Sequence, residues 1–135
     1  MDWTYNGTIF VPPEPNPYEG FIYIIENLSN GKKYIGKKHF WSRIKNKKTG
    51  RRKKTESDWR KYYGSSDDLL KDIKEIGVEQ FKRTILHLCI YKKQMTFLEQ
   101  KEQWDRNVIM NDGYYNTNIG GKFFVGERRI YLAKP

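Results

Sequence analysis

Gly20-Phe-Ile-Tyr-Ile-Ile-Glu-Asn-Leu-Ser-Asn-Gly-Lys-Lys-Tyr-Ile-Gly36 is the stretch on which the reading of this chain turns. Phe21 to Glu26 is aromatic and β-branched, Asn27 to Gly31 carries turn residues, and Lys33 to Gly36 runs extended again, so the stretch predicts a β-hairpin. Side chains alternate along a strand, and in the right register Tyr23 and Tyr34 point from one face. The expected centre of the fold is therefore a hairpin with a tyrosine on each arm.

Beyond the hairpin, Ser42-Arg43-Ile44 reads as a short helix or irregular turn. Lys45 to Lys54 is almost wholly basic around Gly50, which predicts a mobile surface loop, a basic insertion at 45–54. Ser65 or Ser66 can cap a helix over Asp67 to Ile76, where Leu69, Leu70, Ile73 and Ile76 recur at helical spacing and Gly77 stops it. Phe81 to Tyr91 reads as a central strand. His87 and Cys89 share its parity, and with no third ligand nearby packing outweighs a metal pair. Gln94 to Met110 predicts a second long helix whose apolar surface is interrupted by Glu99 and Glu102, and Tyr114 to Ile119 a short returning strand. Pro12, Pro13, Pro15 and Pro17 make residues 1–19 an extended arm, with Trp3, Tyr5 and Phe10 able to pin it to the body. Residues 122–135 form a tail without a pattern. This order predicts an α+β domain over residues 20–121, a small three-stranded antiparallel sheet flanked by helices.

Its 135 residues suit one domain with a modest core. Mean hydropathy is −0.89, yet ten tyrosines and four tryptophans argue against disorder. The net charge of +10 points to a polyanionic partner. Between Lys32 and Lys61 stand fourteen Lys or Arg against two acids, Glu56 and Asp58, so the whole excess is local. One cysteine, Cys89, excludes an intrachain disulfide and a cysteine-rich zinc site. With no signal-like apolar run at the N-terminus and no stretch of membrane-spanning length, a cytoplasmic protein is expected.

Phe-Ile-Tyr at 21–23 followed by Tyr-Ile-Gly at 34–36 resembles the signature of the GIY-YIG nucleases, with Phe21 where the family usually has glycine. Tyr-Ile-Gly-Lys-Lys-x-Phe-Trp-Ser from 34, Glu-Ser-Asp-Trp-x-x-Tyr-Tyr-Gly-Ser-Ser from 56, Leu-Glu-x-Lys-Glu-Gln from 98 and Tyr-Tyr-Asn at 114–116 resemble the compact Seg-like homing endonucleases of phages. The resemblance implies a metal-dependent DNA endonuclease, a phage protein acting in the bacterial cytoplasm, that hydrolyses phosphodiesters with Mg²⁺ or, as a substitute, Mn²⁺. It places Tyr23 near the attacking water with Tyr34 assisting, Arg43 on the scissile phosphate with Lys37, Lys38, Arg51 or Arg52 as alternates, and Asn116 organising the site. Glu102 is the metal ligand it implies, with Glu99 one turn earlier as the alternate. His39 either contacts phosphate and assists proton transfer or is a packing histidine.

Hydrolysis needs a proton acceptor, positive charge on the phosphate and stabilisation of the leaving oxygen, and a divalent cation can supply the last two. A tyrosine base requires cationic neighbours, because free phenol ionises only near a pKa of about 10. Lys37, Lys38, Lys45, Lys47, Lys48, Arg51, Arg52, Lys53, Lys54, Arg60 and Lys61 are candidates for phosphate contacts on double-stranded DNA. Trp59 is a candidate for stacking or for the core. The larger homing enzymes carry a separate recognition domain, and a homodimer could compensate for its absence here. The rival readings are a non-catalytic nucleic-acid-binding module on the same fold and an RNA- or ribosome-associated basic protein.

Overall fold

The predicted hairpin forms one side of the main sheet in a computed structural model that describes residues 1–135. In chain order the elements are β1 (Trp3–Tyr5), β2 (Thr8–Ile9), β3 (Gly20–Asn27), β4 (Lys33–His39), β5 (Trp41–Lys45), β6 (Arg52–Glu56), α1 (Asp67–Ile76), β7 (Phe81–Cys89), α2 (Lys92–Asp105), β8 (Asn118–Ile119), β9 (Phe123–Phe124) and α3 (Arg128–Tyr131). β3 and β4 pair antiparallel with Tyr23 opposite Gly36 and Ile25 opposite Tyr34. Both tyrosines therefore lie on one face, as the alternation requires. The turn closes on Asn27, whose Oδ1 accepts the Ser29 amide at 3.0 Å.

The main sheet has five strands, not three, in the order β2-β1-β7-β3-β4, and it is mixed because β1 runs parallel to β7. The arm before Gly20 is thus partly sheet. β7 would otherwise offer an unpaired edge, and Trp3 brings an indole that must be buried, so the first strand covers the edge as its side chain enters the core. Trp3 Nε1 donates to the Trp59 carbonyl at 2.8 Å, which ties the arm to the segment after β6. β7 pairs antiparallel with β3 through a register shift at Ile22/Tyr23, a bulge beside the first tyrosine.

The expected helix or turn at Ser42-Arg43-Ile44 is strand β5, and the expected mobile loop is largely β6 and the turn joining them. The two strands make a separate antiparallel ribbon, with Arg43 opposite Lys54 and Lys45 opposite Arg52. Turn chemistry overrides the charge run: Asn46 Oδ1 accepts the Lys48 and Thr49 amides at 2.8 and 3.1 Å, and Gly50 takes a φ of 71°. At the base, Trp41 donates to the Tyr18 carbonyl at 2.8 Å and Lys54 lies over its ring.

Helix α1 follows the prediction, with Ser66 Oγ accepting the Leu69 amide and Asp67 and Asp68 in the first turn. Helix α2 starts two residues earlier and ends five residues sooner than its pattern predicts. Two cores flank the sheet. Phe21, Tyr23 and Ile25 pack with Trp3, Phe40, Trp59 and Leu69 on the α1 side, while Ile22, Ile35 and Cys89 pack with Met95, Val108 and Ile109 on the α2 side. The tail is ordered against α2, with Phe123 edge-on to Trp104 at 5.1 Å and Arg128 paired with Asp112 at 2.5 Å.

Arg83 on β7 is 4% exposed. Its guanidinium donates to the carbonyls of Met1 at 2.7 and 2.9 Å, of Tyr62 at 2.8 Å and of Arg60 at 3.1 Å, and lies over the rings of Trp3 and Tyr63. Hydrogen bonds from a charged group contribute more than neutral ones, and stranded carbonyls cost more again. Arg83→Leu is expected to lower stability by about 3 kcal/mol in a urea titration, since three partly buried carbonyls lose a charged donor. A loss under about 0.5 kcal/mol, the range of an ordinary surface substitution, would show that the arm and the 60–63 segment are held by other contacts.

Candidate functional site

β4 is the last strand of the main sheet, so the two packed layers meet along its outer edge. A cleft of about 510 Å³ opens there, lined by Tyr34, Ser65, Asp68, Glu99, Gln103 and Asn116 among others. The chain after α2 forms one wall. Asn116 sets it in place by acting as a ladder partner for the edge strand, its Oδ1 accepting the Ile35 amide at 3.0 Å and its Nδ2 donating to the Ile35 carbonyl at 2.8 Å. Behind it, Asn27 donates to the Tyr115 hydroxyl at 3.1 Å, and that hydroxyl donates to Asp72 at 2.6 Å, joining β3, this wall and α1. Buried polar groups bonded this fully fix a geometry. Asn116, read from the sequence as an organiser of the site, holds the cleft wall through backbone mimicry.

The tyrosines occupy different depths. Tyr34 lines the cleft, and its hydroxyl is 3.2 Å from Ser65 Oγ. Tyr23 is 1% exposed beneath it, with ring centroids 6.2 Å from Tyr34 and 6.0 Å from Tyr62. Burial pushes the Tyr23 phenol well above its ordinary range, and the neighbouring phenols add to the shift. Burial raises Tyr34 too, against a smaller opposing effect of the Ser65 hydrogen bond. Gly36 makes the stacking possible: a Cβ there would lie 2.4 Å from the Tyr23 hydroxyl oxygen.

The two candidate carboxylates separate. Met95, Glu99 and Gln103 recur every four residues and face the sheet from α2, as helical geometry places them. Glu99 opens into the cleft with Tyr34, and burial raises its carboxyl against the opposing charge of Lys37. Glu102 is turned from that row and does not line the cleft. His87 Nε2 lies 2.8 Å from its Oε1 and Arg106 Nε donates to its Oε2 at 3.0 Å. Burial would raise the Glu102 carboxyl, but these two hydrogen bonds outweigh it and hold it below the ordinary range. The sequence preference for Glu102 thus meets a carboxylate already occupied, because rotation about the helix carries it to His87. His87 is its partner, and Cys89 is buried beside it with a thiol pushed up to about 11 by desolvation.

Lys37 and His39 project from the other face of β4, Lys37 donating to Thr96 Oγ1 at 3.1 Å. Burial lowers His39, with Glu19 opposing. Arg43 sits on the ribbon outside the cleft, its guanidinium 3.1 Å from Glu19 Oε1, and Glu19 is 8% exposed. Sequence reasoning gave residues 1–19 no chemistry and so missed Glu19; its signal was a carboxylate one residue before the first strand of the hairpin. Lys38, on the tyrosine face, reaches Asp58 at 2.6 Å and lies 4.1 Å over the Tyr62 ring, which makes it the cation nearest the buried phenols. Trp59 is core and offers no free ring, while Arg60 stacks on it and pairs with Glu56. Lys61 ends the short 3₁₀ turn from Trp59. Lys45, Lys47, Lys48, Arg51, Arg52, Lys53 and Lys54 are exposed on the ribbon and its turn.

No three acidic, histidine or cysteine side chains come together as a metal cage. The donor set instead has one cleft carboxylate, Glu99, and beside it Gln103, 5% exposed, whose Oε1 has no hydrogen-bond partner while its Nε2 donates to the Ile35 carbonyl at 3.3 Å. Such a set fits a hydrated magnesium ion, which needs few protein oxygens and keeps waters able to donate to a lone acceptor. No helix is long and apolar enough to cross a membrane.

A family model described as "Putative endonuclease segE, GIY-YIG domain" matches residues 3–119. No curated protein and no solved structure matches the chain.

The buried phenols predict an alkaline weakness. A phenol whose folded pKa is raised contributes stability that is fully present below its unfolded value of about 10 and is lost as pH rises toward the folded one. The thermal midpoint is expected to fall between about pH 9 and pH 11, and Tyr23→Phe to make that fall shallower. Equal slopes for the two proteins would mean that Tyr23 ionises in place as easily as in the unfolded chain.

Proposed function

This chain belongs to the GIY-YIG endonuclease family, the match covering most of its length, and from that premise we propose that it is a metal-dependent DNA endonuclease of the Seg-like homing type. The substrate of this reading is double-stranded DNA and the setting a phage-infected cytoplasm, with two copies acting on opposite strands where both are cut. The observation that carries it is the meeting, at one sheet edge, of Tyr34, Glu99 and the orphaned Gln103 oxygen in one cleft.

In this reading Glu99, with Gln103 beside it, would hold Mg²⁺, or Mn²⁺ in its place. Bound there, the cation supplies positive charge to the scissile phosphate and to the leaving 3′ oxygen. Tyr34, held by Ser65, would orient the attacking water in the cleft and, as the phenolate, accept its proton. Tyr23, 1% exposed beneath Tyr34 and Tyr62, is a positioning residue in this reading. Lys37, His39 and Arg43 mark a line along β4 toward the ribbon that would track the phosphates of one strand, with Arg43 exchanging Glu19 for phosphate. Glu102 keeps α2 against β7 through His87.

Supercoiled plasmid incubated with Mg²⁺ is expected to be nicked or linearised. Glu99→Ala should slow this by on the order of 10²-fold, the scale on which one electrostatic contributor acts, while Glu102→Ala costs stability and leaves the rate within about tenfold. Intact plasmid in every metal, with DNA still bound in EDTA, would mark a non-catalytic binding module. A dead Glu102→Ala beside an active Glu99→Ala would return the metal to Glu102.

A further inference from the structure

The ribbon carries a cost that the isolated chain does not explain. Arg43 faces Lys54 and Lys45 faces Arg52 across its strands, and like charges directly opposite are destabilising. From Trp41 to Glu56 there are eight Lys or Arg against one acid, Glu56, and that acid is engaged by Arg60 and Trp59. A polyanion between these side chains would relieve the repulsion. The ribbon's other face is different in kind: Ser42, Ile44, Lys53 and Thr55 share it, and Ile44 is 65% exposed with no place in either core. Ile44 gives this face an aliphatic contact that phosphate oxygens would not use.

We infer that the β5–β6 ribbon enters the major groove of duplex DNA, with Ile44 and Lys53 against base edges and Lys45, Arg52, Lys54 and the Lys47–Lys48 turn against the flanking phosphates. A two-stranded ribbon is one of the two elements that the groove, about 12 Å wide, admits. Five residues per strand at about 3.3 Å each reach roughly 17 Å, enough to pass the groove floor from an anchored base. That base is anchored, by Trp41 on the Tyr18 carbonyl and Ser57 Oγ on the His39 carbonyl. The chemistry of the outer face matches the groove, where an aliphatic group meets the thymine methyl and Lys or Ser/Thr meets base acceptors. A-form RNA would not serve, because its major groove is deep and too narrow for side chains to read. The ribbon gives this small chain a recognition element of its own, and the inference rests on the reading of DNA as the substrate.

Binding in EDTA, followed by fluorescence anisotropy, tests it apart from cleavage. The probes are an alternating A·T 24-mer, the same duplex with uracil for thymine, and duplex RNA of that sequence. Loss of a contacted methyl should weaken wild-type binding about fourfold on uracil DNA. Ile44→Ala should bind both DNAs alike, and the RNA should compete poorly. Lys45→Ala with Arg52→Ala should flatten the slope of log K against log salt by about 1.8, with the thermal midpoint held or slightly raised as the cross-strand repulsion is relieved. Equal binding to all three duplexes by the wild type, or an unaltered salt slope in the double variant, overturns the ribbon. Failure of the nuclease reading looks different: the anisotropy results stand while no DNA is cut.

Discussion

A tyrosine ring resting on a glycine is the contact from which the rest of this molecule is set out. Tyr23 on β3 and Gly36 on the edge strand β4 face each other, and any β-carbon on the glycine would lie 2.4 Å from the phenol oxygen. The missing side chain lets the ring lie flat against the neighbouring strand, and Tyr34 then covers it at 6.2 Å. The cost is chemical. A phenol sealed this way holds its proton more firmly than one in water, so the layer that fixes the geometry cannot also be the base without a cation to favour phenolate. Support and reactivity are divided between two residues of one type, the deeper locking the shallower in place.

The second determinant is the free edge of β4. An exposed edge ordinarily invites another strand, and here it is blunted by an asparagine amide that satisfies both polar groups of Ile35 without being a strand. The substitute leaves room. Where a sixth strand would lie there is a cleft with polar walls, reached by one row of side chains from α2 and by Tyr34 from the sheet.

Much of this could be read from the residues. The hairpin followed from its two extended arms and the turn between them, and α1 from a serine cap and four apolar residues on one face. What escaped was decided by distant partners. The strand at Trp3–Tyr5 is too short to show alternation and exists because β7 has an edge to cover. In Trp41–Glu56 the charges hid a period-2 pattern that Asn46 and Gly50 had already marked as a hairpin. Arg83 looks like any surface charge until three carbonyls from two remote segments converge on it. Glu99 and Glu102, three residues apart, differ only in rotation about a helix, and the difference is legible once His87 and Arg106 are seen to claim one of them.

Charge, finally, is not spread as its total suggests. Near the body the cations are already spoken for: Lys38 by Asp58, Arg60 by Glu56, Arg43 by Glu19, Arg106 by Glu102. Exposed pairs of this kind contribute little stability, but each removes a cation from the long-range field. The unpaired excess is left on the outer ribbon, where neighbouring positive charges reinforce one another beyond the reach of the acids on the body. On the endonuclease reading a polyanion would be drawn first to the ribbon and would only afterwards meet the edge of β4. The cleft, whose own walls include Asp67, Asp68 and Glu99, would by itself repel a phosphate backbone. The basic hairpin and a cation at Glu99 solve the same electrostatic problem at two distances, one by capture and the other at contact.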